Sequence, residues 1–166
     1  MLPAPTAWSA VYERAIIEAN TRAAITGHAQ SMPNLETGGI LIGYEVDPKT
    51  VSITRVSPPG PGAVHRRYFF SRDTRFLQRY LDQFHDQSGG REDYVGEWHV
   101  HPGLDAPPSY VDRRALWRIA RRNNYAPTNP VLLIVEEAPP ERRLRVYGFV
   151  AKPKRAWREL AVALAP

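Results

Sequence analysis

The chain has 166 residues, 43% of them hydrophobic, and carries a formal charge of +5 with 22 basic and 17 acidic residues. That length and composition suit one folded domain, residues 1–166, with enough apolar material for a real core. It has no cysteine. Disulfide scaffolds, thiolate metal sites and a cysteine nucleophile are therefore excluded, and any metal must be held by histidine and carboxylate. No leader pattern opens the sequence, and its longest apolar run, Val131 to Val135, falls far short of the ~20 residues of a membrane helix. These features lead to the expectation of a cytoplasmic, soluble protein. The positive charge admits nucleic acid or an acidic protein as partner. Only Lys49, Lys152 and Lys154 are lysines, and there are 16 prolines, so the arginine excess also fits a compositional bias.

Taken in order, residues 8–14 read as an edge strand or a helix start, and Ala15 to Gln30 as a helix. The loop Ser31 to Asn34 contains a proline. Glu36 to Tyr44 (ETGGILIGY) reads as a strand whose glycines mark a bulge or close backbone approach. Val51 to Val56 and His65 to Phe70 are strands around the stiff loop 57–63. Ser71-Arg72-Asp73 opens a helix to Gln87 with Phe76, Tyr80, Leu81 and Phe84 on its apolar face. Tyr94 to His101 is a strand stopped by Pro102. A helix follows from Ser109 to about Asn123, then strands 131–136 and 144–150, and a last helix over 155–165 with Trp157, Leu160, Ala161 and Leu164 on one side. The expected class is α+β, a mixed sheet flanked by helices.

The chemistry concentrates at Glu97-Trp98-His99-Val100-His101-Pro102, with Ser109-Tyr110-Val111-Asp112 six residues on. Alternation along a strand puts His99 and His101 on one face, ~6.6 Å apart, close enough for both rings to converge on one ion. Ser109 occupies an N-cap position. Asp112 precedes Leu116 by four residues and Ala115 by three, so it lies on the buried stripe of its helix. A buried carboxylate needs a partner or a metal, and the helix N-terminus favours its ionised form. Two histidines and one aspartate leave a fourth tetrahedral position open, the arrangement of a catalytic zinc site. Glu36 is the candidate general base. Glu97 competes with it, as base or as a partner behind the ligands. Asp105 is a spare carboxylate in the loop. His28, His65 and His85 read as structural or exposed. With each fixed residue present at roughly one in twenty, the combined pattern recurs by chance about once in a few million positions.

These residues resemble the JAMM (MPN+) metallopeptidases, whose signature is a glutamate upstream of H-x-H-x₇-S-x-x-D. The match is Glu36, His99, His101, Ser109 and Asp112, reinforced by ETGGILIG at 36–43 and GEWHVHP at 96–102. It covers most of residues 10–150 and is strongest toward stand-alone prokaryotic JAB proteins. The resemblance implies a curved, cytidine-deaminase-like mixed sheet, one catalytic Zn²⁺ on His99, His101 and Asp112, Glu36 as base then acid, and Ser109 as donor to the oxyanion. It implies cleavage after the small-residue tail of a ubiquitin-like protein, beside activating and conjugating enzymes, including those of anti-phage operons. Val100 stands where many members carry Ser or Thr, with its side chain turned from the metal. No long insertion follows the Asp112 helix. Two alternatives stand beside this. One is a JAMM peptidase acting on a sulfur-carrier protein in cysteine or cofactor biosynthesis. The other is a nucleic-acid module resting on Arg113, Arg114, Arg118, Arg121 and Arg122.

Overall fold

The computed structural model describes residues 11–103, 107–121, 127–138 and 141–166. Asp105, Arg122 and Asn123, named above, lie outside them. In chain order the elements are β1 (Arg14–Ile17), α1 (Ala19–Ser31), β2 (Thr37–Asp47), β3 (Thr50–Val56), β4 (Val64–Arg66), β5 (Phe69–Ser71), α2 (Thr74–Gln87), β6 (Asp93–Pro102), α3 (Tyr110–Arg121), β7 (Val131–Ala138), β8 (Glu141–Val150), β9 (Ala156–Glu159) and β10 (Ala161–Leu164). Eight strands form one mixed sheet in the order β10-β1-β3-β2-β6-β7-β8-β9, and β4 and β5 form a separate hairpin. The α+β class is as the sequence implies, and the sheet is curved and nearly closed. No helix among the described residues is long and apolar enough to cross a membrane.

The centre of the sheet is buried on both faces, which explains its near-continuous apolar strands. On one side Leu41, Ile53, Trp98, Val100, Leu133 and Val135 pack with Ile25 and Ala29 of α1. On the other, α2 lays Phe76, Leu77, Tyr80 and Phe84 over Ile40 and Ile42. Beside it, α3 sets Leu116 against Leu132, Ile134, Tyr147 and Phe149. The strip of β6 between these two helical patches is where His99 and His101 emerge.

Three expectations change. The last helix, over 155–165, is instead two strands: Ala156–Glu159 pairs antiparallel with β8, and Ala161–Leu164 pairs parallel with β1. Between them Leu160 is 4% exposed and donates its N–H to Val146 O at 2.8 Å, so one bent segment joins the two outer strands. Those distant pairings override an apolar spacing that locally fits a helix. The helix drawn from Ala15 begins only at Ala19; Ala15 and Ile17, both fully buried, alternate in β1. Branched Ile16 and Ile17 suit that strand. The single strand over 65–70 is a hairpin turning at Arg67-Tyr68.

Candidate metal centre

Strand β6 carries Glu97, His99 and His101 on one face, and β2 runs antiparallel beside it with Gly38 opposite His99 and Thr37 opposite Val100. Continuing that register sets Glu36 abreast of His101. The space for the His99 ring comes from Gly38: a Cβ there would meet Trp98 O at 2.4 Å and His99 Cδ2 at 2.9 Å. Behind the strand, Trp98 is fully buried and donates its indole N–H to Ser57 O at 3.0 Å, which pins the backbone just before His99. Val100 is 1% exposed and packs on that same far side, facing away from the site as its position in the strand predicts.

Helix α3 brings the carboxylate. Ser109 Oγ accepts the Asp112 N–H at 3.1 Å, and Asp112 Oδ2 accepts the Ser109 N–H at 2.8 Å. This reciprocal box starts the helix and fixes the aspartate rotamer. Asp112 is 8% exposed, with Oδ1 3.2 Å from His99 Nδ1 and Oδ2 3.5 Å from His101 Nε2. Burial alone would raise its pKa, but the facing His101 and His99 rings and Ser109 hold it well below the usual carboxylate range. His99 experiences the opposite pull. Burial lowers its pKa, yet Asp112 and Glu97 override that and hold the imidazole up to about 9.

One ligand-type atom from each of His99, His101 and Asp112 lies within 4.8 Å of the others. His99 turns Nδ1 toward Asp112 Oδ1 at 3.2 Å, and its buried Nε2, 3.6 Å from Glu97 Oε2, makes no hydrogen bond among the described residues. A neutral-capable imidazole pair with one carboxylate is the donor chemistry that a borderline divalent ion takes. The residues present fit a metal.

Glu36 lies just before β2 at intermediate exposure. Its backbone is held by the hairpin: its N–H donates to Arg66 O at 2.9 Å, and His65 Nδ1 is 3.2 Å from its carbonyl oxygen. Burial raises its carboxyl pKa, His101 and His99 oppose the rise, and Asp112 adds to it. A carboxyl raised in this way is a stronger proton acceptor than an ordinary one. Glu97, the competing base, is 1% exposed. Both its oxygens take hydrogen bonds from the Arg72 guanidinium, Tyr94 OH donates to it at 3.3 Å, and Oε2 is 3.6 Å from His99 Nε2. Burial would raise its pKa; His99 and Arg72 overcome that and keep it lowered. Glu97 is thus engaged by Arg72, Tyr94 and His99, and not by His101.

Sequence reasoning missed Arg72 at the site; His65, read as structural or exposed, meets the Glu36 backbone carbonyl. His28 stacks on Trp98 at 5.8 Å, and His85 Nδ1 meets Glu92 O at 3.1 Å, so both are structural as expected. On α3, Arg114, Arg118 and Arg121 are exposed, whereas Arg113 lies over the Trp157 ring at 5.5 Å.

The probable metalloprotease y4qB of Sinorhizobium fredii is 35% identical over 103 residues, covering 61% of this chain and 63% of that protein. The CD-NTase/cGAS isopeptidase of Enterobacter hormaechei is 38% identical over 101 residues, 60% of this chain and 54% of that one. That of Vibrio cholerae is 34% identical over 100 residues, 60% and 61%. This chain thus matches between 54% and 63% of the length of these relatives. The solution structure of protein DSY2949 from Desulfitobacterium hafniense superposes with a TM-score of 0.67 at 20% identity, covering 91% of this chain and 92% of that one, and shares the fold. The family described as prokaryotic homologs of the JAB domain matches residues 18–147, and with the fold and the His99, His101 and Asp112 cluster in place, this chain belongs to that family.

Proposed function

We propose that the protein is a zinc-dependent peptidase that cuts the peptide or isopeptide bond following the small-residue tail of a ubiquitin-like protein. The convergence of His99, His101 and Asp112 within 4.8 Å, with Glu36 abreast of His101, carries this reading. When bound, zinc supplies Lewis acidity that lowers the pKa of water and polarises a carbonyl. The chain's own residues do the rest. The Glu36 carboxylate accepts the proton of the attacking water and delivers it to the leaving nitrogen. The Ser109 hydroxyl accepts the Asp112 N–H, which leaves its own hydrogen free to donate to the oxyanion. The hairpin gives β5 an open edge among the described residues, along which an extended tail can add main-chain hydrogen bonds. Relatives named CD-NTase/cGAS isopeptidase support an isopeptide-linked protein as the substrate; an anti-phage setting with activating and conjugating enzymes as neighbours is part of the same proposal. We place the reaction in the cytoplasm.

The experiment is metal analysis together with cleavage of two fusions of a ubiquitin-like domain, one joined through Gly-Gly and one through bulky residues. The wild-type protein should hold one zinc and cut only the first. His99→Ala, His101→Ala and Asp112→Ala should lose metal and hydrolysis. Glu36→Ala should keep the metal and stop turning over. Normal cleavage by Glu36→Ala, or equal cleavage of both fusions, would refute the assignment.

A further inference from the structure

On the face of β6 that carries the two histidines, Glu97 is 1% exposed. Its cross-strand neighbours are Ile40 on β2 and Leu132 on β7, and both are apolar. The sheet therefore gives no packing reason for a carboxylate here. A buried ion pair is seldom retained for stability alone, since well-packed apolar residues of similar volume do as well or better. The contacts show what this pair touches. Arg72 reaches Glu97 through both terminal guanidinium nitrogens, and Glu97 Oε2 lies 3.6 Å from His99 Nε2. Arg72 is also the first residue after β5. Two residues earlier, Phe70 sets its ring against His99 at 6.4 Å between centroids. In the partner strand β4, Arg66 O takes the Glu36 N–H at 2.9 Å.

We infer that Arg72 and Glu97 are positioning residues, a directional tie that orients the His99 ring and locks the β4–β5 hairpin to the metal-bearing strand. His99 belongs to β6, while Phe70, whose ring faces it, belongs to a hairpin that is no part of the main sheet. An apolar contact could bring them together but would not fix rotation about either partner. A bidentate guanidinium–carboxylate pair does fix it, because both hydrogen bonds must be made in one plane. Groups that hold a metal-ligating histidine in this way commonly change metal affinity or activity by about 10–100-fold when removed.

This inference rests on the metal-centre reading, and the test separates the two. The double variant Arg72→Met/Glu97→Leu replaces the pair with apolar side chains of similar size. Glu97→Gln keeps the shape and removes the charge. For each, melting temperature, zinc affinity by competition with a fluorescent chelator, and kcat and KM on the Gly-Gly fusion are measured on one preparation. The double variant should melt close to the wild type, bind zinc about 10–100-fold more weakly, and lose kcat with KM nearly unchanged. Glu97→Gln should weaken zinc to a similar degree, and it decides the matter alone if the double variant does not fold. Wild-type zinc affinity in Glu97→Gln would overturn the positioning role. Absence of zinc from the wild-type protein would instead overturn the metallopeptidase reading, and with it the premise for the tie.

Discussion

Gly38 lies directly across the β2–β6 ladder from His99, and the imidazole occupies the volume that a side chain at 38 would fill. A methyl there meets not only the ring but also Trp98 O at 2.4 Å, which is backbone and cannot swing aside. Gly38→Ala should therefore push β2 away from β6, cost about 1–3 kcal/mol as overpacking does, and displace His99. Denaturant unfolding and zinc content are the measurements. A destabilised protein with full zinc affinity would show that the ring had kept its place.

Ser109 has two separable roles. Its oxygen caps α3 by accepting the Asp112 N–H, so Ser109→Ala should cost about 1 kcal/mol of stability. Its hydrogen is the proposed oxyanion donor, so the same change should lower kcat by roughly 10²–10³-fold and leave KM nearly alone. Reduced melting temperature with normal kcat would assign the serine to the cap only.

The His99 imidazole, held up to about 9 without a metal beside it, predicts how zinc loading depends on pH. A ligating imidazole must first lose its proton. Zinc affinity should thus rise about tenfold per pH unit through neutrality and flatten above about 9. Calorimetry at pH 7 in buffers of different ionisation enthalpy should detect release of about one proton. The stability of the metal-free chain should move the other way. The contribution of the charged ring is complete below the unfolded value of about 6.5 and is lost as pH rises through about 9.

On the far side of the same ladder, Thr37 faces Val100. Thr37 is 1% exposed and its Oγ1 has no hydrogen-bond partner among the described residues. A hydroxyl at position 100 would stand within cross-strand reach of it. Val100→Thr should then stabilise the protein by about 0.5–1.5 kcal/mol, against the usual cost of burying a hydroxyl. In a Thr37→Val background the same change should destabilise, and the cycle of four proteins measures the coupling.

What the sequence disclosed follows the range of each interaction. His99 and His101 share a face through strand alternation, and Asp112 follows from helix spacing and a four-residue cap, all within a few residues. Arg72 was invisible as a partner for Glu97 because it arrives from 25 positions away, and a buried carboxylate states that it needs a cation without saying which. The hairpin at 64–71 turns on Arg67-Tyr68, which lacks the Gly or Asn that marks two-residue turns. Segment 155–165 misled for a related reason. Its spacing of Trp157, Leu160 and Leu164 suits a helix, and only the partners β8 and β1, far off in sequence, make it a strand.

That bent segment has a kinetic consequence. β1 finds its outer neighbour only when Arg14 aligns with Ala161, nearly the whole chain apart. Until then both β1 and β8 present unpaired N–H and C=O rows, the template on which other molecules add strands. Loops of that span form slowly, so ring closure around Leu160 should be the last and slowest event in refolding. Leu160→Ala should prolong the vulnerable interval, and aggregation during refolding at micromolar concentration should rise before any loss shows in the finished fold.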